Sequence, residues 1–262
     1  MEWIIMLKDK VVVITGASSG VGAEIAKLLA QKGATTLLMA RSLEKLKKVS
    51  SQIEGKHEIY QMDVTSTEQV FQTMDDVLSK YGKIDILINN AGFGVFDYFI
   101  DASLKDYEEM MDTNYMGMVR CTKAVLPSML KRNSGHIINI ASVAGKLATA
   151  KSAGYSATKF AMIGFANSLR HELVDTKIFV SSVNPGPIDT PFFDIADPSG
   201  SYVKNIKWLM LTPEQVANEV LDVIISKKSD KTIPFFSRVG VKLYHMFPNT
   251  FDKLLGKMMN QK

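Results

Sequence analysis

Residues Lys10–Gly22 read KVVVITGASSGVG. Val11, Val12, Val13 and Ile14 form an unbroken β-branched run, which suits a strand buried on both faces. The run stops at a turn holding Gly16, Gly20 and Gly22, and apolar residues then recur at Ile25, Ala26, Leu28 and Leu29 with helical spacing. A glycine-rich turn alone is only a tight connection. Placed between a buried strand and an amphipathic helix, it brings backbone N–H groups and a helix N-terminus to one point, a cradle for a pyrophosphate. Ser18, Ser19 and Val21 belong to the same turn.

Working outward, the strand and helix periods keep alternating. TTLLMA is a second strand ending at Arg41, Leu43 to Ile53 a basic helix, and HEIYQMDV a third strand ending near Asp63. Thr67 to Tyr81 is a helix, and Ile84 to Ile88 a short buried strand opening onto NNAG. A long helical region follows over Leu104 to Lys131, then the strand HIINIAS, then a helix from Tyr155 to Val174 and the strand KIFVSSVNPG. Thr212, Pro213 and Gln215 form a capping box for a helix over Glu214 to Ser226. This order predicts an α/β fold: a single-domain, Rossmann-like, doubly wound parallel sheet in three α/β/α layers. The domain is expected to span 1–262, with a substrate-loop region about 188–211, partly helical over Ser201 to Met210, and a basic, apolar segment about 235–262.

The 262 residues are 46% hydrophobic and 22% charged, an ordinary profile for a soluble globular domain. Cys121 is the one cysteine, so no internal disulfide is expected; His57, His136, His171 and His245 are dispersed and no metal site is expected. The net charge of +4 is concentrated at one end: Arg238, Lys242, Lys253, Lys257 and Lys262 face Asp252 alone, and the rest balances to neutrality. A basic recognition stripe of the nucleic-acid kind is absent from the sequence. Apolar runs fall short of the ~20 residues that span a bilayer, and the N-terminus lacks the pattern of a secretory signal, so the expected location is cytoplasmic. Phe236, Val239, Leu243, Phe247 and Leu254 intersperse the basic tail, with Pro248 dividing it. The preferred reading is burial against the substrate lobe or a neighbouring subunit; membrane-surface contact is the alternative.

At the end of the second strand stand Ala40, Arg41 and Ser42. An acid there selects the free ribose hydroxyls of NAD; a guanidinium with no carboxylate beside it suits the extra phosphate of NADP(H). Arg41 alternatively only opens a basic helical face with Lys45, Lys47 and Lys48. Asp63 either accepts from an adenine amino group, with Val64 packing on the ring, or caps the helix after Thr65. Asn89, Asn90, Ala91 and Gly92 form a compact polar turn that braces neighbouring loops, passes the cofactor, or both.

Tyr155 and Lys159, four apart in YSATK, share a helical face, where an ammonium stabilises tyrosinate and makes the phenol a proton-transfer group. Such a pair is commonly a solvated helix face; Ser142, ending the preceding strand, and Asn114, in MDTNYMG, change the reading. Ser142 is placed to bond a reacting oxygen or to close a local turn, and Asn114 to orient a water or a backbone carbonyl near Lys159.

Taken together, TGASSGVG, NNAG, Asn114, Ser142, Tyr155, Lys159 and NPGPIDT resemble the short-chain dehydrogenase/reductase family over nearly the whole chain. The resemblance implies an Asn-Ser-Tyr-Lys catalytic group: Tyr155 as general acid or base, Ser142 positioning the substrate oxygen, Lys159 on the nicotinamide ribose, Asn114 supporting a water-linked relay. It also implies cofactor contacts at Asn89, Ala91 and Gly92, and at Pro185, Gly186, Ile188 and Thr190 near the nicotinamide. Ala40 followed by Arg41 resembles the NADP-preferring type. Homodimers or homotetramers through the helices of Asn114 and Tyr155 are implied as well. The expected substrate is an apolar or amphipathic carbonyl or alcohol, rimmed by Phe93, Val95, Phe96, Val143 to Leu147, Phe192, Phe193, Tyr202, Trp208 and Met210. A 3-oxoacyl-carrier-protein reductase and a non-catalytic NADP(H)-sensing protein are the alternatives.

Overall fold

The structure is a computed structural model that describes residues 7–198, 200–250 and 253, without the side chains of Ser201 and Tyr202. Seven parallel strands form one sheet: β1 Val11–Thr15, β2 Thr35–Ala40, β3 His57–Gln61, β4 Ile86–Asn89, β5 Gly135–Ile140, β6 Ile178–Pro185 and β7 Asp230–Ile233, in the order β3-β2-β1-β4-β5-β6-β7. β1 pairs with β2 from Val11↔Thr35 to Thr15↔Met39 and with β4 through Val12↔Ile86. The helices are α1 Gly20–Gln31, α2 Leu43–Ser50, α3 Thr67–Tyr81, α4 Leu104–Met110, α5 Gly117–Arg132, α6 Ala153–Glu172, α7 Phe192–Ala196, α8 Ser201–Ile206, α9 Pro213–Ser226 and α10 Phe235–Met246.

The strand alternation builds two cores. Val12 and Ile14 of β1 point into one with Ile25 and Leu29 of α1, Leu46 of α2, and Val216, Val220 and Val223 of α9. Val11 and Val13 point into the other with Val70 and Met74 of α3, Cys121 and Val125 of α5, and Ala166 and Leu169 of α6. Two buried faces explain why VVVI is apolar without a break. Because the chain turns outward in opposite directions from β1 and β4, a crevice opens at the carboxyl ends of those strands, where open α/β sheets take ligands.

Local signals set most boundaries. Ser66 caps α3 through Gln69 N, with Gly82 left-handed at its other end, and Thr212 with Gln215 forms a complete capping box on α9. The expected helix over Leu104 to Lys131 is instead interrupted by one π-turn, Met111–Met116, which holds Asn114. The strand β7, four residues long and beginning with Asp230 and Lys231, was not expected from sequence; at a sheet edge it needs little apolar patterning.

Burial of the basic, apolar segment against the substrate lobe is corrected over its described part; burial against a neighbouring subunit is the half of the expectation that a single chain does not touch. On α10 only Val241 is buried; Phe235, Phe236, Val239, Leu243 and Met246 are exposed. Leu254, also named in this segment, lies outside the described residues. No described helix is long and apolar enough to cross a membrane.

Candidate active site

A cleft of about 500 Å³ runs along the carboxyl ends of the strands. Its floor is the glycine turn. Gly16 has φ +65°, and a side chain there would start 2.7 Å from Ala91 Cα, so only glycine lets the β4 loop lie against the turn. Gly22 sits behind the wall, where a Cβ would meet Asn90 Nδ2 at 2.5 Å and the Gly16 carbonyl at 2.6 Å. The amide that fills this space donates to the carbonyls of Thr15 (3.0 Å) and Gly16 (3.1 Å), and Thr15 Oγ1 accepts from Asn90 N and Ala91 N. Asn90 is therefore the brace of the turn, a role the sequence reading left undivided within NNAG.

The N-terminus of α1 meets the cleft, where Ser19 makes no side-chain capping bond and the first turn holds no acid. Its N–H groups and positive dipole end suit an anion. Along the β2 edge the cleft is lined by Ala40, Arg41, Ser42 and Lys45, with Asp63 and Val64 beyond. Arg41 is exposed, and Ser42 caps α2 by accepting from Lys45 N at 3.3 Å. Asp63 Oδ1 accepts from Thr65 N and Thr65 Oγ1, but the cap of α3 is Ser66, not Asp63. Lys45, assigned by sequence only to a basic face, joins the lining.

Tyr155 and Lys159 project from α6 into the cleft, with Lys159 Nζ 5.5 Å from the Tyr155 ring centre. Lys159 is buried; its Nζ donates to the Ile140 carbonyl at 2.9 Å, and burial pushes its pKa down to about 7. Ser142 lies on the lining where β5 ends, accepting from Ala144 N (3.1 Å) and donating to the Pro185 carbonyl (3.4 Å). The local turn bond anticipated as an alternative thus coexists with its place in the cleft. Lys146 ties this loop to β7 through Asp230 Oδ1 (2.6 Å) and Thr232 Oγ1 (2.9 Å), contacts 84 and 86 positions apart that no sequence spacing announces.

Asn114 is buried and does not line the cleft. Its Oδ1 accepts from Phe93 N (2.9 Å), and its Nδ2 donates to the Phe93 carbonyl (2.8 Å) and to Thr158 Oγ1 (3.0 Å). It clamps the β4 loop to the helix of Tyr155 and Lys159. Asn89 is likewise behind the wall, donating to Asn139 Oδ1 on β5 (2.9 Å) and to Thr122 Oγ1 on α5 (3.2 Å). Ala91, Gly92, Pro185, Gly186, Ile188 and Thr190 all line the cleft.

The rim is mostly as expected, with exceptions. Phe93, Phe96, Val143, Leu147, Phe192 and Phe193 line it, and Tyr155 is boxed by Phe96 (ring centres 5.7 Å) and Phe192 (5.5 Å). Val95 and Met210 do not reach the lining, and Trp208, on a short 3-10 turn, is 80% exposed to solvent. The side chain of Tyr202 lies outside the described residues.

The architecture and its cleft match a known class of proteins. The short chain dehydrogenase profile matches residues 10–198. The chain is 41% identical over 192 residues to a Staphylococcus saprophyticus protein named "Uncharacterized oxidoreductase", covering 72% of this chain and 82% of that one. A Staphylococcus aureus protein of the same description is 36% identical over 224 residues, 85% and 94% of the two chains. Among solved structures, a short-chain dehydrogenase/reductase from Burkholderia phymatum in complex with NAD superimposes with TM-score 0.85 at 26% identity, covering 93% of this chain and 95% of that one. A serine dehydrogenase in closed form with NADP+ superimposes with TM-score 0.78 at 33% identity, covering 85% and 94%. This chain belongs to the short-chain dehydrogenase/reductase family of oxidoreductases.

Proposed function

We propose that this protein is an NADP(H)-dependent oxidoreductase that interconverts a carbonyl and a secondary alcohol on an apolar or amphipathic substrate. The observation that supports it most is the convergence of Tyr155, Lys159 and Ser142 on one cleft whose β2 edge carries Arg41 and Lys45. Neighbours bound to NAD and to NADP+ put the choice of cofactor on this chain's own residues. Ala40 offers no carboxylate to the ribose, while a guanidinium and an ammonium suit a 2′-phosphate.

The protein groups fit a dinucleotide in parts. Gly16, Ser18, Ser19, Gly20 and Val21, with the uncapped start of α1, would hold the pyrophosphate; Asp63 and Val64 the adenine; Ala91, Gly92, Pro185, Gly186, Ile188 and Thr190 the remainder. When bound, the nicotinamide supplies or accepts the hydride. Tyr155 gives its phenolic proton to the carbonyl oxygen in reduction and takes it back in oxidation. Ser142 holds the same oxygen. Lys159, one turn along α6, stabilises the tyrosinate and bonds the ribose. Asn114 fixes both walls and supports a water-linked return of the proton. The segment 188–211 acts as the substrate loop, and the side chains boxing Tyr155 bear no formal charge, which favours neutral apolar substrates over carboxylates or phosphates. Pairing of copies through α5 and α6 belongs to the same reading; Leu130 is 46% and Phe160 43% exposed there.

The test is NADPH oxidation with chain-length-varied ketones, aldehydes and 3-oxoacyl thioesters, with NADH in parallel. Turnover on one class, at least about tenfold better with NADPH, supports the reading. Equal turnover with NADH removes the 2′-phosphate assignment, and silence across the panel with measurable NADPH binding favours a sensing protein.

A further inference from the structure

We infer that α10 is a docking face for an anionic lipid surface. The helix is two-sided in a way a purely structural helix is not. Its one buried side chain, Val241, points inward. Phe235 (74% exposed), Phe236, Val239, Leu243 and Met246 (66%) fall within an arc of about 100° on the opposite side, at ~100° per residue. Arg238 and Lys242 are exposed and border that arc along one edge, and the sequence from Lys231 to Phe251 holds no acidic residue.

An apolar stripe with cations along one edge suits the boundary of an anionic bilayer, where rings enter the acyl edge and basic groups meet headgroup phosphates. A second copy presenting the same helix would bring like charges together around the apolar contact, which disfavours self-association there. The start of α10 also adjoins the cleft. Gly186, which lines the cleft, donates its N–H to the carbonyl of Ile233 at 2.7 Å, and α10 starts two residues further on. α10 lies beyond the stretch shared with the family profile, which ends at residue 198. The inference does not depend on the proposed reaction.

The test is co-sedimentation of the full chain with vesicles of phosphatidylcholine alone and of phosphatidylcholine with phosphatidylglycerol at 3:1. Binding is expected to the anionic vesicles only, and to weaken at high salt. Charge reversal in Arg238→Glu/Lys242→Glu is expected to weaken it by at least about tenfold. Phe235→Ser/Phe236→Ser is expected to abolish it. Both variants alter exposed groups, and unchanged NADPH binding shows that they fold. Equal binding to both vesicle types, no binding to either, or binding unaffected by charge reversal overturns the inference. So does a multimer that dissociates on Phe235→Ser/Phe236→Ser, since a second copy would then be the occupant.

Discussion

Replacing Lys159 by methionine should raise the stability of the protein while removing its activity, and the gain should depend on pH. The ammonium is buried at 4% exposure with an uncharged partner, the Ile140 carbonyl, and its pKa falls from 10.5 to about 7. Below pH 7 both folded and unfolded chains carry the proton, so the whole cost of burying the charge opposes folding; the shift corresponds to roughly 5 kcal/mol. Between pH 7 and 10.5 the unfolded chain holds the extra proton, so stability rises with pH through that window, and above it the cost is gone. Methionine keeps much of the side-chain volume but forfeits the hydrogen bond, worth about 1 kcal/mol net. That loss is nearly independent of pH. The advantage of Lys159→Met over the parent should therefore be about 2–4 kcal/mol at pH 6 and should shrink by roughly 3 kcal/mol by pH 9.5. Urea unfolding of both proteins without cofactor, at those two pH values, measures it. A difference that does not change with pH, or a variant less stable at pH 6, would refute the claim that an uncompensated ammonium is buried at this position.

Further outcomes follow from other residues. Arg41→Ala combined with Lys45→Ala should raise the Kd for NADPH by about ten- to a hundredfold and leave NADH nearly unchanged, as read by fluorescence titration. Gly22→Val should push Asn90 out of its place under the turn, lowering Tm by roughly 3–8 °C and weakening NADPH binding together, because the Cβ meets that amide and the Gly16 carbonyl at under 3 Å. Cys121 is fully buried with its thiol pushed up to about 12, so a thiol reagent should modify it only at the rate of unfolding.

How far the sequence speaks depends on the range of the interaction concerned. The β1–turn–α1 unit and the capped helix α9 are legible because their signals are local: a β-branched run, glycines at a turn, a capping box. Tyr155 and Lys159 are legible as a pair because α6 brings residues four apart together. The sequence singles out Asn114, but its partners, Phe93 and Thr158, lie 21 and 44 positions away. The helix period therefore could not show that it clamps two walls. Asn89 and Asn90 are adjacent, yet one faces Asn139 across the sheet and the other the glycine turn, a division set by strand pairing. Trp208 and α10 show the limit of reading aromatics as core or rim. Composition says that such residues favour removal from water, not which surface removes them.

Tyr155 is proposed to move the proton, with Ser142 and Lys159 supporting it, and the most direct measurement is the turnover of Tyr155→Phe beside its affinity for NADPH. The account predicts a fall in kcat of about 10²–10⁴-fold with an NADPH Kd close to that of the parent. Retention of kcat in the phenylalanine variant, with the same substrate and pH, would contradict it.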